Sequence, residues 1–357
     1  MRALNGLLVL DLTRLLPGAV ATQTLAAHGA RVIKIEQPGI GDYARHGFTQ
    51  GGVNPIFAAT NRGKESIELD LKDEDGRNAL RLLAMEADVF IEGFRPGVMH
   101  RLGIDYEHLR GLNPRLIYVA LTGYGQRDEY SQMAGHDINY LALSGVLAEI
   151  GTSETPVIPG VQLADLAGGS MQVVIGILLA LQARERTGEG QFVDVSMTDG
   201  VASLLPIPLS SYAATRVLPS RGDALLTGRY ACYGVYRTTQ GFVAVGALEP
   251  KFWLALCEAL GEPAWIRDQF ADEPRQGELK RLLSARFLEK SAEEWFVELR
   301  DKDCCVTPVR DLVSASPCVD PVPRLSGTPG VYADTVPQLG EHTLAVLKEF
   351  GFPLENK

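Results

Sequence analysis

Three side chains in this sequence have the types and settings to move a proton near neutral pH. His136 follows Gly135 in the stretch Gly135-His136-Asp137-Ile138-Asn139-Tyr140, where a helix is expected to open. Asp165 lies between Leu163-Ala164 and Leu166-Ala167, just ahead of Gly168-Gly169-Ser170. Glu249 closes Gly246-Ala247-Leu248-Glu249 and precedes Pro250, a strand-to-helix junction. Imidazole titrates near pH 7 by nature, and a carboxyl can be brought there by burial. A carboxylate in apolar company is either partly buried with a raised pKa or the N-cap of a helix, and both readings stay open for Asp165. Glu249 reads equally as an acid favoured by the dipole of the helix it precedes. Of the six histidines, only His136 follows a glycine and opens a segment rich in other polar groups. No serine elbow, P-loop or HExxH motif offers a competing chemistry.

The elements that must carry these groups are legible from periodicity. Short apolar runs at 6–12, 31–36, 66–71, 87–92, 116–121 and 191–196 alternate with helical patterns. That alternation predicts a doubly wound α/β sheet. The first turn reads Leu15-Leu16-Pro17-Gly18-Ala19 and lacks GxGxxG, which argues against a nicotinamide dinucleotide. Lys34, Arg62, Lys64, Lys72, Arg95 and Arg101 recur near the strand edges, and as a group they suit a pocket for phosphates. A strong helix is expected over 167–183, where Gly168 and Gly169 would let a ligand or another helix come close.

From about Ala224 the pattern changes. A hairpin is expected at 233–238 and 241–245, then helices from Pro250, from Glu278 and after the Ser291-Ala292-Glu293-Glu294 capping box. The expected organisation is a large domain over 1–215, a small α+β domain over 224–316 and a proline-rich linker over 317–329. A returning segment, 330–357, completes the large domain.

At 357 residues the chain exceeds a typical single domain. Its net charge of −10 argues against nucleic acid or an anionic membrane as the main partner. The cysteines, Cys232, Cys257, Cys304, Cys305 and Cys318, are odd in number and show no CxxC spacing. They predict a reduced, cytoplasmic protein without disulfides or a zinc site. The longest apolar run, 171–183, is short for a bilayer and contains Gln172 and Gln182, so it reads as a buried helix.

At these residues the chain resembles the α-methylacyl-CoA racemases, a branch of the family III CoA-transferase (CaiB/BaiF-like) superfamily. The likeness rests on the His136, Asp165 and Glu249 segments. It extends through Asn61-Arg62-Gly63-Lys64, Ile91-Glu92-Gly93-Phe94-Arg95-Pro96-Gly97-Val98, Thr122-Gly123-Tyr124-Gly125-Gln126, Gly188-Glu189-Gly190-Gln191 and Gly340-Glu341-His342-Thr343. The resemblance implies a Rossmann-like large domain, a smaller α+β domain and an interlocked homodimer. It implies an active site between the large domain of one subunit and the small domain of the other.

By the same resemblance, His136 and Asp165 would be an acid/base pair, and Glu249 would hydrogen-bond the histidine. The implied reaction is racemisation of 2-methylacyl-CoA thioesters in fatty acid metabolism, by 1,1-proton transfer through an enolate. The acyl-CoA is the substrate, and no cofactor or metal is implied. Implied CoA contacts are Lys34, Gln37, Leu69, Asp70, Leu71, Lys72, Gly93, Phe94, Arg95, Arg101, Gly135, Asp137, Ile138, Asn139 and Tyr140. Gln37 departs from the pattern, because some racemases carry an arginine there near the adenosine phosphate, and Lys34 is expected to substitute. A backbone amide near Gly168 or Asp165 is the expected donor to the enolate oxygen. The alternative is a family III CoA-transferase, in which Asp165 attacks the thioester and becomes a mixed anhydride.

Overall fold

The structure, a computed structural model, describes residues 1–46, 54–127, 129–218, 220–315 and 320–353. Cys318 and the start of the expected linker lie outside the described residues. The chain forms two compact units. One comprises Met1–Leu147, Pro159–Ile207 and Val319–Lys357; the other comprises Ala148–Ile158 and Pro208–Cys318.

The first unit is built on six parallel strands: β1 (Leu8–Leu12), β2 (Arg31–Glu36), β3 (Glu65–Glu68), β4 (Val89–Glu92), β5 (Ile117–Thr122) and β6 (Phe192–Ser196). Their order is β3-β2-β1-β4-β5-β6. The central strands β4 and β5 are buried along their whole length, as strands covered on two sides must be, whereas β3 at the edge reads Glu65-Ser66-Ile67-Glu68. Leu10 on β1 pairs with Ile33 on β2 and Phe90 on β4, and all three are fully buried. The strand order reverses between β1 and β4, so the crevice beyond their carboxyl ends is the topological switch point where open α/β sheets bind ligands. The helix Glu74–Glu86 packs Leu80 and Leu83 into the core beneath. The C-terminal helix Thr343–Glu349 adds Val346 and Leu347 to the same core.

Charge is buried inside this unit. The side chains of Lys34 and Lys64 have no solvent exposure. The Lys34 ammonium pairs with Asp42 at 2.8 Å and donates to the Thr13 carbonyl at 2.9 Å. Lys64 pairs with Asp11 at 3.2 Å and donates to Thr22 and Asn61. Two of the six edge cations expected to bind phosphate are therefore internal struts. Their sequence neighbours gave no sign of this, because the partners come from Asp11 and Asp42.

The helix expected over 167–183 runs longer. A π-helical turn at Ala164–Ser170 feeds an α-helix at Met171–Thr187, which Gly188 ends in the left-handed conformation at φ 76°. The residue ahead of this turn, Leu163, is itself helical, so Asp165 lies inside the first turn rather than capping it. Nor is the helix wholly buried. Val173, Ile177 and Ala180 face the core, whereas Met171, Ile175, Leu178 and Leu179 form an exposed apolar stripe. The span 164–187 is long and apolar enough, by length and composition, to cross a membrane.

In the second unit β7 (Tyr233–Arg237) and β8 (Phe242–Gly246) form the expected antiparallel hairpin, and β9 (Val306–Pro308) pairs with β8. The helices Pro250–Ala259, Arg275–Phe287 and Ala292–Leu299 bury Trp253, Phe287 and Trp295 against them. Ser291 and Glu294 complete the capping box. Cys232, Cys257 and Cys304 are free thiols in this core.

Candidate active site

His136 caps the helix Asp137–Leu143 from an extended backbone at φ −130°, and its imidazole is exposed. The local sequence builds that cap. Asn139 accepts the His136 backbone N–H on Oδ1 at 3.1 Å, and Tyr140 donates its hydroxyl to the Gly135 carbonyl at 2.6 Å. The Tyr140 ring fills the space beside Gly123 and Gly135, so a Cβ on either glycine would collide with it. Burial pushes the Tyr140 phenol up to about 12, so it stays a neutral donor. Tyr140 and Asn139, expected to touch CoA, thus have side-chain polar groups engaged in holding the histidine loop. Ile138 presents an exposed side chain on the same turn.

Asp137 reaches across to the second motif. Its Oδ1 accepts the backbone N–H of Asp165 at 2.9 Å, which fixes the π-helical turn against the His136 helix. Asp165 is half-buried, and its carboxyl is pushed up to about 6, first by loss of hydration and then by the Asp137 charge; His136 opposes the shift. The site therefore pairs an exposed imidazole with a carboxyl that titrates near 6. Since its N–H is already bonded to Asp137, the Asp165 amide is not the enolate donor expected from sequence. Gly168, the other expected donor, is buried.

The glycines serve helix packing. A Cβ on Gly200, in the helix Met197–Ala202, would strike the Gly168 carbonyl, so the two chains touch backbone to backbone. Ser170 donates to the Pro17 carbonyl at 2.6 Å and ties the turn to the helix Leu15–Ala27. Of the two uses that Gly168 and Gly169 allowed, the structure has the helix contact.

Most of the implied CoA positions gather at the carboxyl ends of β1 to β4. Gln37, Leu69, Asp70, Leu71, Lys72 and Phe94 line one cavity of about 230 Å³. Lys34 does not join them, because it is sealed below with Asp42. Arg101 is exposed near Gly97, and Arg95 lines a different cavity, of about 370 Å³, with Glu92 and Tyr118. Gly93 is exposed at the β4 terminus. Glu92, missed from sequence, is driven up to about 8 by burial and accepts the Phe94 N–H at 2.7 Å. Its position at a strand end was visible, but its burial was not. Arg14, also missed, lines the Gln37 cavity.

Glu249 belongs to the second unit. It is exposed at the N-cap of the helix Pro250–Ala259, and its carboxylate bonds none of that helix's amides. Among the described residues, one group has metal-ligand chemistry, namely His100, Asp105 and His108. Asp105 hydrogen-bonds both imidazoles, at 2.6 and 2.5 Å, and caps the helix Tyr106–Leu112.

Comparison with known proteins agrees with this architecture. The profile of the family described as CoA-transferase family III matches residues 4–317. The chain is 38% identical to the α-methylacyl-CoA racemase of Homo sapiens, across 99% of this chain and 94% of that one. It is 35% identical to the acetyl-CoA:oxalate CoA-transferase of Acetobacter aceti, across 98% and 96%. A CaiB/BaiF family protein from Brucella suis superposes with a TM-score of 0.85 at 30% identity, covering 98% of this chain and 99% of the other.

Proposed function

The chain belongs to the family III CoA-transferases, and from that premise we propose that it is an isomerase that racemises 2-methylacyl-CoA thioesters. The observation that carries this reading is the pairing of His136 with a carboxyl whose pKa is raised to about 6. A nucleophilic carboxylate works ionised, whereas a proton donor must hold its proton near neutral pH. A carboxyl that titrates near 6 exchanges its proton close to the working pH, which suits proton transfer.

The α-hydrogen of the thioester is weakly acidic. His136, as the neutral imidazole, takes that proton, and the bonding pair moves into the enolate. Asp165, protonated, returns a proton to the opposite face and inverts the centre. The reverse direction starts with His136 protonated and Asp165 ionised. A carboxyl that titrates near 6 can both give and take a proton close to neutral pH, so the exchange runs either way. Asp137 contributes by holding Asp165 in place and by keeping its pKa high. Glu249, supplied by the small domain, hydrogen-bonds the histidine in the proposed interlocked homodimer. The exposed apolar stripe of Met171, Ile175, Leu178 and Leu179 supports such a partner. The CoA thioester enters as substrate without a further cofactor. The buried free thiols accord with a cytoplasmic setting.

The second reading, CoA transfer through an Asp165 anhydride, rests on the likeness to the acetyl-CoA:oxalate CoA-transferase. One experiment separates the two. A single-enantiomer 2-methylacyl-CoA is incubated with the protein in deuterated water, without an acceptor acid. Deuterium at C2 with loss of optical activity supports the racemase. No exchange, but CoA transfer once a carboxylic acid is added, moves the chain to the transferase branch.

A further inference from the structure

We propose that Arg14 is the cation that receives a phosphate of the CoA nucleotide end, the part that neither Lys34 nor Gln37 can supply. The inference rests on the CoA reading above and adds the residue that anchors that end. Lys34 is fully buried, and Gln37 is neutral. The cavity that Gln37 lines is bordered by Arg14, Lys72, Leu69, Leu71 and Phe94. It lies at the carboxyl ends of β1 to β4, next to the switch point.

Arg14 is presented to this cavity by a built turn. Its guanidinium carbon lies 5.0 Å from the Tyr43 ring centroid and 5.5 Å from that of Phe94, and its Nη1 donates to the Tyr43 hydroxyl at 3.1 Å. Two rings hold the planar fork, which lowers the entropy lost when it grips an anion. The next residue, Leu15, has φ 61°, a left-handed conformation that costs a leucine free energy. Asp42 stabilises it by accepting the Leu15 N–H at 2.9 Å, while its other oxygen pairs with Lys34 at 2.8 Å. Lys34 thus acts through Asp42 as a positioning residue for the turn that carries Arg14.

The charges around Arg14 leave it available. Among the described residues it forms no ion pair with a carboxylate. Glu36 borders the same cavity, but Arg45 holds both its oxygens, each at 2.7 Å. Asp70 turns Oδ1 to the Lys72 backbone N–H at 2.9 Å. Lys72 adds a second exposed cation to the lining. A guanidinium fork beside an ammonium, over a leucine floor, suits an adenosine carrying phosphate.

The test is calorimetric binding of CoA and of 3′-dephospho-CoA to the full chain, as wild type, Arg14→Gln, Arg14→Lys and Arg14→Gln/Gln37→Arg. Losing a charge-assisted, bidentate contact should weaken CoA binding about tenfold to hundredfold in R14Q. R14K should fall between, and the double variant should recover part of the loss. A loss confined to CoA assigns Arg14 to the 3′-phosphate, and an equal loss with both ligands assigns it to the diphosphate. In turnover, R14Q should raise KM and leave kcat unchanged, a split that misfolding would not produce. Unchanged R14Q affinity alongside normal wild-type binding overturns the role of Arg14 alone. A wild-type protein that binds no CoA overturns the functional reading and this assignment with it.

Discussion

The Asp137 carboxylate accepts the backbone N–H of Asp165 at 2.9 Å, across 28 residues of sequence. One hydrogen bond therefore sets where the Asp165 backbone stands relative to the helix that His136 opens. The same carboxylate acts as a charge on Asp165, contributing, after burial, to the raised pKa of about 6. Asp137→Asn removes the charge. Its side-chain oxygen can still accept the N–H, so the electrostatic part is isolated. The Asp165 pKa should fall. In the direction where Asp165 donates its proton, the rate declines as pH rises through about 6 in the wild type. That decline should begin at a lower pH in Asp137→Asn, as read from kcat/KM against pH. Asp137→Ala should add a positional defect of about a hundredfold.

In the proposed mechanism, His136→Ala and Asp165→Asn each remove one proton carrier. General acid–base groups are worth about 10²- to 10⁴-fold, and each variant should lose racemisation by that factor. Asp165→Asn should still let His136 take a proton from one face. It is therefore expected to retain some deuterium exchange from one enantiomer with little inversion, measured by mass spectrometry and chiral analysis together. Equal loss of exchange from both enantiomers would contradict the two-face mechanism.

The buried charges under the site set stability. Burial alone would raise the Asp11 pKa, yet the ammonium groups of Lys34 and Lys64 bring it from 3.8 down to about 2. The folded value lies below the unfolded one. This contribution is therefore fully present above pH 3.8 and is lost as pH falls through about 2. Asp11→Asn leaves two buried ammonium groups short of a partner and should destabilise the protein by about 3–5 kcal/mol, read by denaturant melts at neutral pH.

Backbone contact between Gly168 and Gly200 leaves no room for a methyl group. Gly200→Ala should force the helix Met197–Ala202 away from the π-helical turn and cost about 1–3 kcal/mol. Because that turn carries Asp165, activity should fall more steeply than in Tyr140→Phe. The latter removes only the hydroxyl bond to Gly135 and should cost about 1 kcal/mol.

The centre of the sheet was legible because parallel strands covered on both faces are written as nearly continuous apolar runs, as β1, β4 and β5 are. The three residues proposed to handle protons stood out in the sequence for a different reason. Each interrupts an apolar or glycine-marked segment where a helix starts, and that setting is local. Arg14, Lys34, Lys64 and Glu92 were not legible, because their roles depend on partners far along the chain. Lys34 and Lys64 read as edge cations until the tertiary fold brought Asp42 and Asp11 against them. Glu92 reads as an ordinary strand-end acid until burial raises its pKa. Sequence alone determined the α/β alternation, the motif that begins at His136 and the carboxyl at Asp165. Only the tertiary structure decided which charges stay at the surface and which brace the core, since burial and pairing are properties of the whole packed chain.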